Sequence, residues 1–254
     1  MVRGLDVFRR HFADFTDRYV LIGGVAASLA MEEAGLDFRA TKDLDLVLIV
    51  EALDARFGER FWQFVEEGGY EIREKGGGQP QFYRFQKPAD PSYPVMLELF
   101  SRAPHGLQLH DGAQLTPIPV DEAVSSLSAI LLDEQYYRFI LAGRQTADEI
   151  TWLNAEHLIP LKASAWLDLS ARQQAGEAVD SRNVRKHLND VLRLSQLLSP
   201  ELAIGLPEKV ALQMSEFLQQ LPANAPDLKS LGLDRSSTLP ILIERLRKIY
   251  ALAE

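Results

Sequence analysis

Residues 19–50, YVLIGGVAASLAMEEAGLDFRATKDLDLVLIV, hold two patterns that together decide the fold. Tyr19, Val20, Leu21 and Ile22 form a short apolar run of β-formers that stops at Gly23-Gly24, and residues 25–34 then read as an Ala-rich helix. Strand, glycine pair and helix make a phosphate-binding geometry. Glycine lets the backbone approach a ligand where a Cβ would collide, and the free N–H groups at a helix start attract anions. Farther on, residues 41–50, TKDLDLVLIV, read as a strand whose period of two sends Asp43 and Asp45 to one face. The continuation LVLIV is too apolar for an edge strand, so this one is predicted to be central.

Two carboxylates at the mouth of a central strand repel unless a cation lies between them. Carboxylate oxygens suit Mg²⁺, and Mn²⁺ in the same role; such an ion takes one or two protein carboxylates and completes its shell with water and substrate phosphates. A nucleoside triphosphate beside Gly23 and Gly24 would supply those phosphates. An isolated Asp-x-Asp is more often the solvent face of a half-buried strand. The company it keeps here, a glycine pair, a helix and an Arg39-x-Thr41 lead-in, favours the metal reading.

Glu98 lies in residues 95–100, VMLELF, an acid within an apolar strand, and such acids are rarely buried without a partner. It is the candidate third carboxylate; the competing reading is an edge position facing water. Arg39 and Lys42 flank the acids as phosphate contacts or as plain surface charges. The chain has no Walker sequence and no G-x-G-x-x-G, so the P-loop and dinucleotide-binding readings lack their residues. With no cysteine there are no disulfides, thiolate metal sites or Cys nucleophiles, and the histidines, 11, 105, 110, 157 and 187, show no metal-ligand spacing.

The chain of 254 residues, 46% hydrophobic and 25% charged, suits one large or two modest globular domains. No apolar run is long enough to span a bilayer, and a cytoplasmic protein with no membrane contact is expected. A net charge of −9 means that a nucleic-acid substrate would be met by a local basic patch rather than by the whole surface. Residues 5–15 and 57–67 carry Leu5, Phe8, Phe12, Phe15 and Phe57, Phe61, Phe64, Val65 at helical spacing, as helices covering a sheet. Residues 70–73, 82–86 and 95–100 read as further strands, with a turn at Gly76-Gly77-Gly78, and residues 107–120 as one or two short ones.

From residue 121 onward the spacing becomes helical, over 122–141, 155–172, 182–198, 207–221 and 239–252, with a loop at 222–237. The expected class is therefore α+β: a mixed β-sheet domain with flanking helices over 1–120, followed by an all-helical domain over 121–254. Lys162 sits among Leu158, Leu161, Ala165 and Leu169, where a lysine is out of pattern unless it snorkels or finds an anion. Arg182, Arg185, Lys186, Asn189 and Arg193 share one face of the next helix, the strongest local basic patch of an acidic chain.

Gly23-Gly24-x-Ala26 followed by Arg39-x-Thr41-x-Asp43-x-Asp45 resembles the signature of DNA-polymerase-β-like nucleotidyltransferases. Lys162 in LIPLKASAWLDLSAR, and Lys186-His187-x-Asn189-Asp190-Val191-x-Arg193-Leu194, extend the resemblance toward the AbiEii/AbiGii group, toxins of abortive-infection and type IV toxin–antitoxin systems. The resemblance implies a nucleotidyltransferase-like fold and Mg²⁺-dependent transfer of NMP from an NTP to an acceptor hydroxyl. It implies metal on Asp43, Asp45 and Glu98, where family members more usually have Asp, and lets Glu98 accept the proton of the attacking hydroxyl. Gly23, Gly24, Arg39, Thr41, Lys42, Lys162 and Lys186 would bind the nucleotide, and Asp190 would hold Lys162 or a neighbouring base in place. The implied partners are a tRNA or another translation component as acceptor, and an antitoxin encoded nearby. Two other readings stay open: a nucleotide-binding or protein-interaction module that keeps the fold without the chemistry, and a small-molecule nucleotidyltransferase.

Overall fold

The structure is a computed structural model, and it describes residues 2–72, 83–105, 115–118, 128–233 and 238–252. The expected turn at Gly76-Gly77-Gly78 lies outside these residues, as do residues 121–127. The chain divides into two compact units, one of residues 1–29 and 37–153, the other of residues 30–36 and 154–254.

The first unit is built on a mixed sheet of nine strands among the described residues. In chain order its elements are α1 (Leu5–Phe12), β1 (Tyr19–Ile22), the helix α2 (Gly23–Glu33), whose end belongs to the second unit, β2 (Asp43–Leu48), α3 (Ala55–Gly68), β3 (Glu71–Ile72), β4 (Arg84–Gln86), β5 (Met96–Ser101), β6 (Leu115–Pro117), β7 (Ser128–Leu131), α4 (Glu134–Ala142), β8 (Arg144–Ala147) and β9 (Ile150–Leu153). The strands run in the order β3-β4-β5-β2-β1-β9-β8, with β7 on β5 and β6 on β7. As its apolar run requires, β2 is central, antiparallel to β1 and parallel to β5. The class is α+β, as expected.

The core of this unit is aromatic. Phe8 and Phe12 on α1 meet Tyr19 on β1 and Phe57, Phe61 and Phe64 on α3, with ring centroids 4.5 to 6.3 Å apart. The helical spacing of these phenylalanines thus marks core, and burying rings of this size dominates the energetics of such a face. Asp54 starts α3 by accepting a hydrogen bond from Phe57 N at 2.9 Å, and Gly69 ends it in the left-handed region at φ 61°.

Two expectations are corrected. Of the helix read over 122–141, residues 122–127 lie outside the described residues and the rest forms β7 and the shorter α4, because the apolar segment SAIL pairs parallel to β5 through Phe100↔Ile130 and Ser101↔Leu131. The sheet unit also runs past the expected boundary at 120 to Leu153. β9 lies parallel to β1 at Leu21↔Trp152 and forms a hairpin with β8, whose tight turn places Asp148 and Glu149 at positive φ.

The second unit contains α5 (Ala155–Gln174), α6 (Ser181–Leu194), α7 (Glu208–Asn224) and α8 (Leu239–Ile249). Asn154 and Asp180 cap α5 and α6 by accepting hydrogen bonds from His157 N and Arg182 N. Pro160 lies inside α5 and has no N–H to give to the carbonyl of Glu156; the hydroxyl of Tyr250 donates to that carbonyl instead, at 2.8 Å. Trp166 of α5 packs edge-on against Phe217 of α7 at 5.4 Å. Among the described residues no helix is long and apolar enough to cross a membrane.

Candidate functional site

The residues singled out around the glycine pair come together in the sheet unit. β1 ends at Ile22, which stands opposite Asp45 of β2, and the chain turns at once into α2. Gly23 takes φ +68°, and a Cβ there would lie 2.1 Å from Oδ2 of Asp45. A Cβ on Gly24 would lie 2.6 Å from Oγ1 of Thr41 and 3.4 Å from Nη2 of Arg39. Both glycines are therefore required by close approach, not only by turn geometry. The start of α2 is laid directly on the carboxylate, hydroxyl and guanidinium that the sequence proposed as its neighbours.

Asp43 and Asp45 are half-buried and alternate with the fully buried Leu44 and Leu46, so the period of two places both acids on one face. Thr41 is buried and Lys42 is exposed, while the Lys42 carbonyl accepts a hydrogen bond from Val95 N at 2.8 Å. The Arg39 guanidinium lies over the Phe38 ring at 5.2 Å.

Glu98 stands opposite Asp45 in the parallel β2/β5 pair, so its side chain is on the same face as the aspartates. It has a partner that the sequence did not announce. Arg84, opposite Glu98 in the antiparallel β4/β5 pair, donates from Nε to Oε1 of Glu98 at 2.5 Å, and its Nη2 meets the same oxygen. The Glu98 side chain is 13% exposed and that of Arg84 31%. Among the described residues no group of three or more His, Cys, Asp or Glu side chains is placed to hold a metal ion. Glu98, expected as the third metal ligand, is paired with Arg84 here. Asp43 and Asp45 carry carboxylate oxygens, the donor type that Mg²⁺ and Mn²⁺ take.

In the helical unit, Lys162 and Asp190 do find each other: Nζ donates to Oδ2 at 2.7 Å, with side chains 3% and 0% exposed. The out-of-pattern lysine on α5 is thereby explained by an anion on α6. Lys186 is half-buried and Arg185 exposed on the same helix, and Arg182 pairs with the capping Asp180. A cavity of about 240 Å³ opens between α5, α6 and α7, lined by Trp166, Ser170, Arg185 and Gln220 among others. None of the residues expected at the site lines it.

Sequence reasoning missed Arg84, and also a tie at the far ends of β2 and β5. There Arg102, 6% exposed, donates to Oε1 of Glu51 from Nε at 2.9 Å and from Nη2 at 2.5 Å, while the Tyr137 hydroxyl donates to Oε2 of Glu51 at 2.7 Å. An acid just after one apolar strand and an arginine just after its parallel neighbour was the available signal.

No protein-family model matches the chain, and no curated protein does. Two solved structures from Helicobacter pylori are similar over most of its length. One is JHP933, at 14% identity and a TM-score of 0.41, covering 95% of this chain and 86% of its own. The other is a "putative nucleotidyltransferase", at 14% identity and a TM-score of 0.41, covering 95% of this chain and 89% of its own.

Proposed function

We propose that the chain is a nucleotidyltransferase that moves NMP from an NTP to an acceptor hydroxyl, with release of pyrophosphate. The observation that carries this reading is the contact of the α2 start with Asp45, Thr41 and Arg39, where any side chain at Gly23 or Gly24 would intrude. The N–H groups there and the Arg39 guanidinium suit phosphate oxygens, and the resemblance adds the exposed Lys42 as a further phosphate contact. Asp43 and Asp45 would hold Mg²⁺, which when bound neutralises phosphate charge and favours attack at the α-phosphorus. The chain's own part is to fix the triphosphate so that the acceptor oxygen approaches in line, which is positioning rather than covalent catalysis. The resemblance adds a tRNA or other translation component as acceptor, and a toxin role checked by an antitoxin encoded nearby; Lys162, which it implies as a nucleotide contact, is instead buried on Asp190.

The experiment is transfer of label from α-³²P NTPs in the presence of Mg²⁺ and cell extract. Asp43→Asn and Asp45→Asn are each expected to lower transfer by about a thousandfold or more, the scale lost when charge stabilisation is removed from such a site. Wild-type transfer by either variant would remove the metal assignment. Label on a small molecule with no macromolecule present would move the acceptor to that class. The second reading, a binding module without chemistry, is favoured by the capture of Glu98 by Arg84; NTP binding with no transfer of label to any acceptor would select it.

A further inference from the structure

The cavity between α5, α6 and α7 arises where an apolar helix stripe turns polar. Trp166, Ser170 and Gln173 follow one another three and four residues apart on α5, and Val184 and Leu188 four apart on α6, so each set shares a helix face. Position 170 carries a serine, whose small side chain leaves space that a larger core residue would fill. Trp166, Ser170, Val184 and Leu188 are between 3% and 9% exposed and form the inner wall, and the exposed Gln173 and Arg185 stand at the mouth. The Ser170 hydroxyl is buried and has no hydrogen-bond partner among the described residues. A buried hydroxyl left in that state costs free energy, which a molecule seated in the cavity would relieve.

The lining sets the chemistry of such a molecule. Arg185 is its one charged side chain among the described residues and no acid lines it, which disfavours a cation as occupant. Of the acids nearby, Asp180, which also attracts Arg185, is held by the backbone and side chain of Arg182, and Glu216 accepts from the Gln220 amide at 3.0 Å. The Asn224 amide donates to the Gln220 backbone carbonyl at 2.8 Å. Gln220 and Asn224 thus keep their side-chain oxygens as acceptors on the α7 side, opposite in kind to the donors of Arg185 on α6. A guanine ring matches both: O6 and N7 are adjacent acceptors that pair with a guanidinium, while N1–H and the 2-amino group are adjacent donors. Its flat faces suit the apolar surface of Trp166, Val184 and Leu188. The volume of about 240 Å³ equals about eight waters at about 30 Å³ each, room for one base. We propose that this cavity binds a guanine base, carried by a nucleoside or nucleotide whose sugar stays at the mouth. The site lies within the helical unit and does not rest on the nucleotidyltransferase reading.

The test is titration calorimetry of the full chain with guanosine in EDTA, so that no divalent ion takes part. One guanosine per chain is expected, with adenosine and uridine at least about tenfold weaker. A GMP arm distinguishes the sources: tighter binding than guanosine assigns the site to a nucleotide, equal or weaker binding to a nucleoside, and both keep the guanine site. Ser170→Leu, which fills the cavity and removes the unpartnered hydroxyl, is expected to bind guanosine at least about tenfold more weakly while melting no lower than the wild type. Should Ser170→Leu fail to fold, Arg185→Gln at the exposed mouth decides, with the same expected loss. Asp43→Asn, outside the cavity, is expected to bind guanosine as the wild type does. No binding at about 1 mM guanosine, equal binding of all three nucleosides, wild-type affinity in folded Ser170→Leu or in Arg185→Gln, or loss of binding in Asp43→Asn each overturns the proposal.

Discussion

Lys162 and Asp190 show what a single buried charge requires of its surroundings. An ammonium and a carboxylate withdrawn almost fully from water each lose several kcal/mol of hydration, which only close pairing and further hydrogen bonds restore. Removing one partner leaves the other uncompensated, so Lys162→Met or Asp190→Leu alone is expected to destabilise the chain by about 3–5 kcal/mol in urea unfolding. The double variant is expected to recover most of that loss, because two apolar side chains of similar size need no pairing. A single variant that unfolds at the wild-type midpoint would show the pair to be hydrated and energetically neutral. At this scale the sequence was legible wherever the signal is local. Gly23 and Gly24 before a helix, and Asp43 and Asp45 with the period of a strand, could be read directly, as could the misfit of Lys162 among leucines. Arg84 could not, because its meaning depends on the register of β4 against β5, which no local pattern encodes.

Strands are held at both ends, and in β2 and β5 the two ends do different things. One end carries Asp43, Asp45 and Glu98; the other is closed by Glu51, Arg102 and the Tyr137 hydroxyl of α4, which also accepts a hydrogen bond from Val50 N at 3.1 Å. Burial alone would raise the Glu51 pKa, but hydrogen bonds from Tyr137 and Arg102 outweigh it and bring the value below the ordinary 4.5. A folded pKa below the unfolded one means that the unfolded chain binds the proton first. The contribution is therefore fully present above the ordinary glutamate value and is lost as pH falls through the lowered folded value. Glu51 is 47% exposed, so the effect is modest and screened by salt. Thermal melts between about pH 7 and about pH 3 are expected to show wild-type protein losing more stability than Glu51→Gln over the acid end. Parallel curves would mean that Glu51 contributes nothing through its charge. The strands around 95–100 and the helices over 155–172 and 207–221 were readable from their periods. The segment SAIL was not, since a short apolar run fits a helix or a strand equally well, and only the unpaired edge of β5 beyond Phe100 decides it.

The whole chain is not two domains strung end to end. Its helical unit takes residues 30–36 from the middle of the chain as well as residues 154–254, and the sheet unit resumes at residue 37. Of that inserted segment, Ala30 and Met31 are buried, at 7% and 3% exposure. A cut after residue 153 would keep every strand of the described sheet yet strip residues 30–36 of the helices they cluster with, exposing an apolar face on the last turns of α2. That helix begins with Gly23 and Gly24, beside Asp45 and Thr41. The expected outcome is that fragment 1–153 retains strand signal in far-ultraviolet circular dichroism but binds the dye ANS and melts at a lower temperature than the full chain. Loss of the burial of Met31, about 1.5–3 kcal/mol, is enough to lower the melting temperature measurably. A fragment with the full chain's melting temperature and no ANS binding would show instead that Ala30 and Met31 keep their cover without residues 154–254.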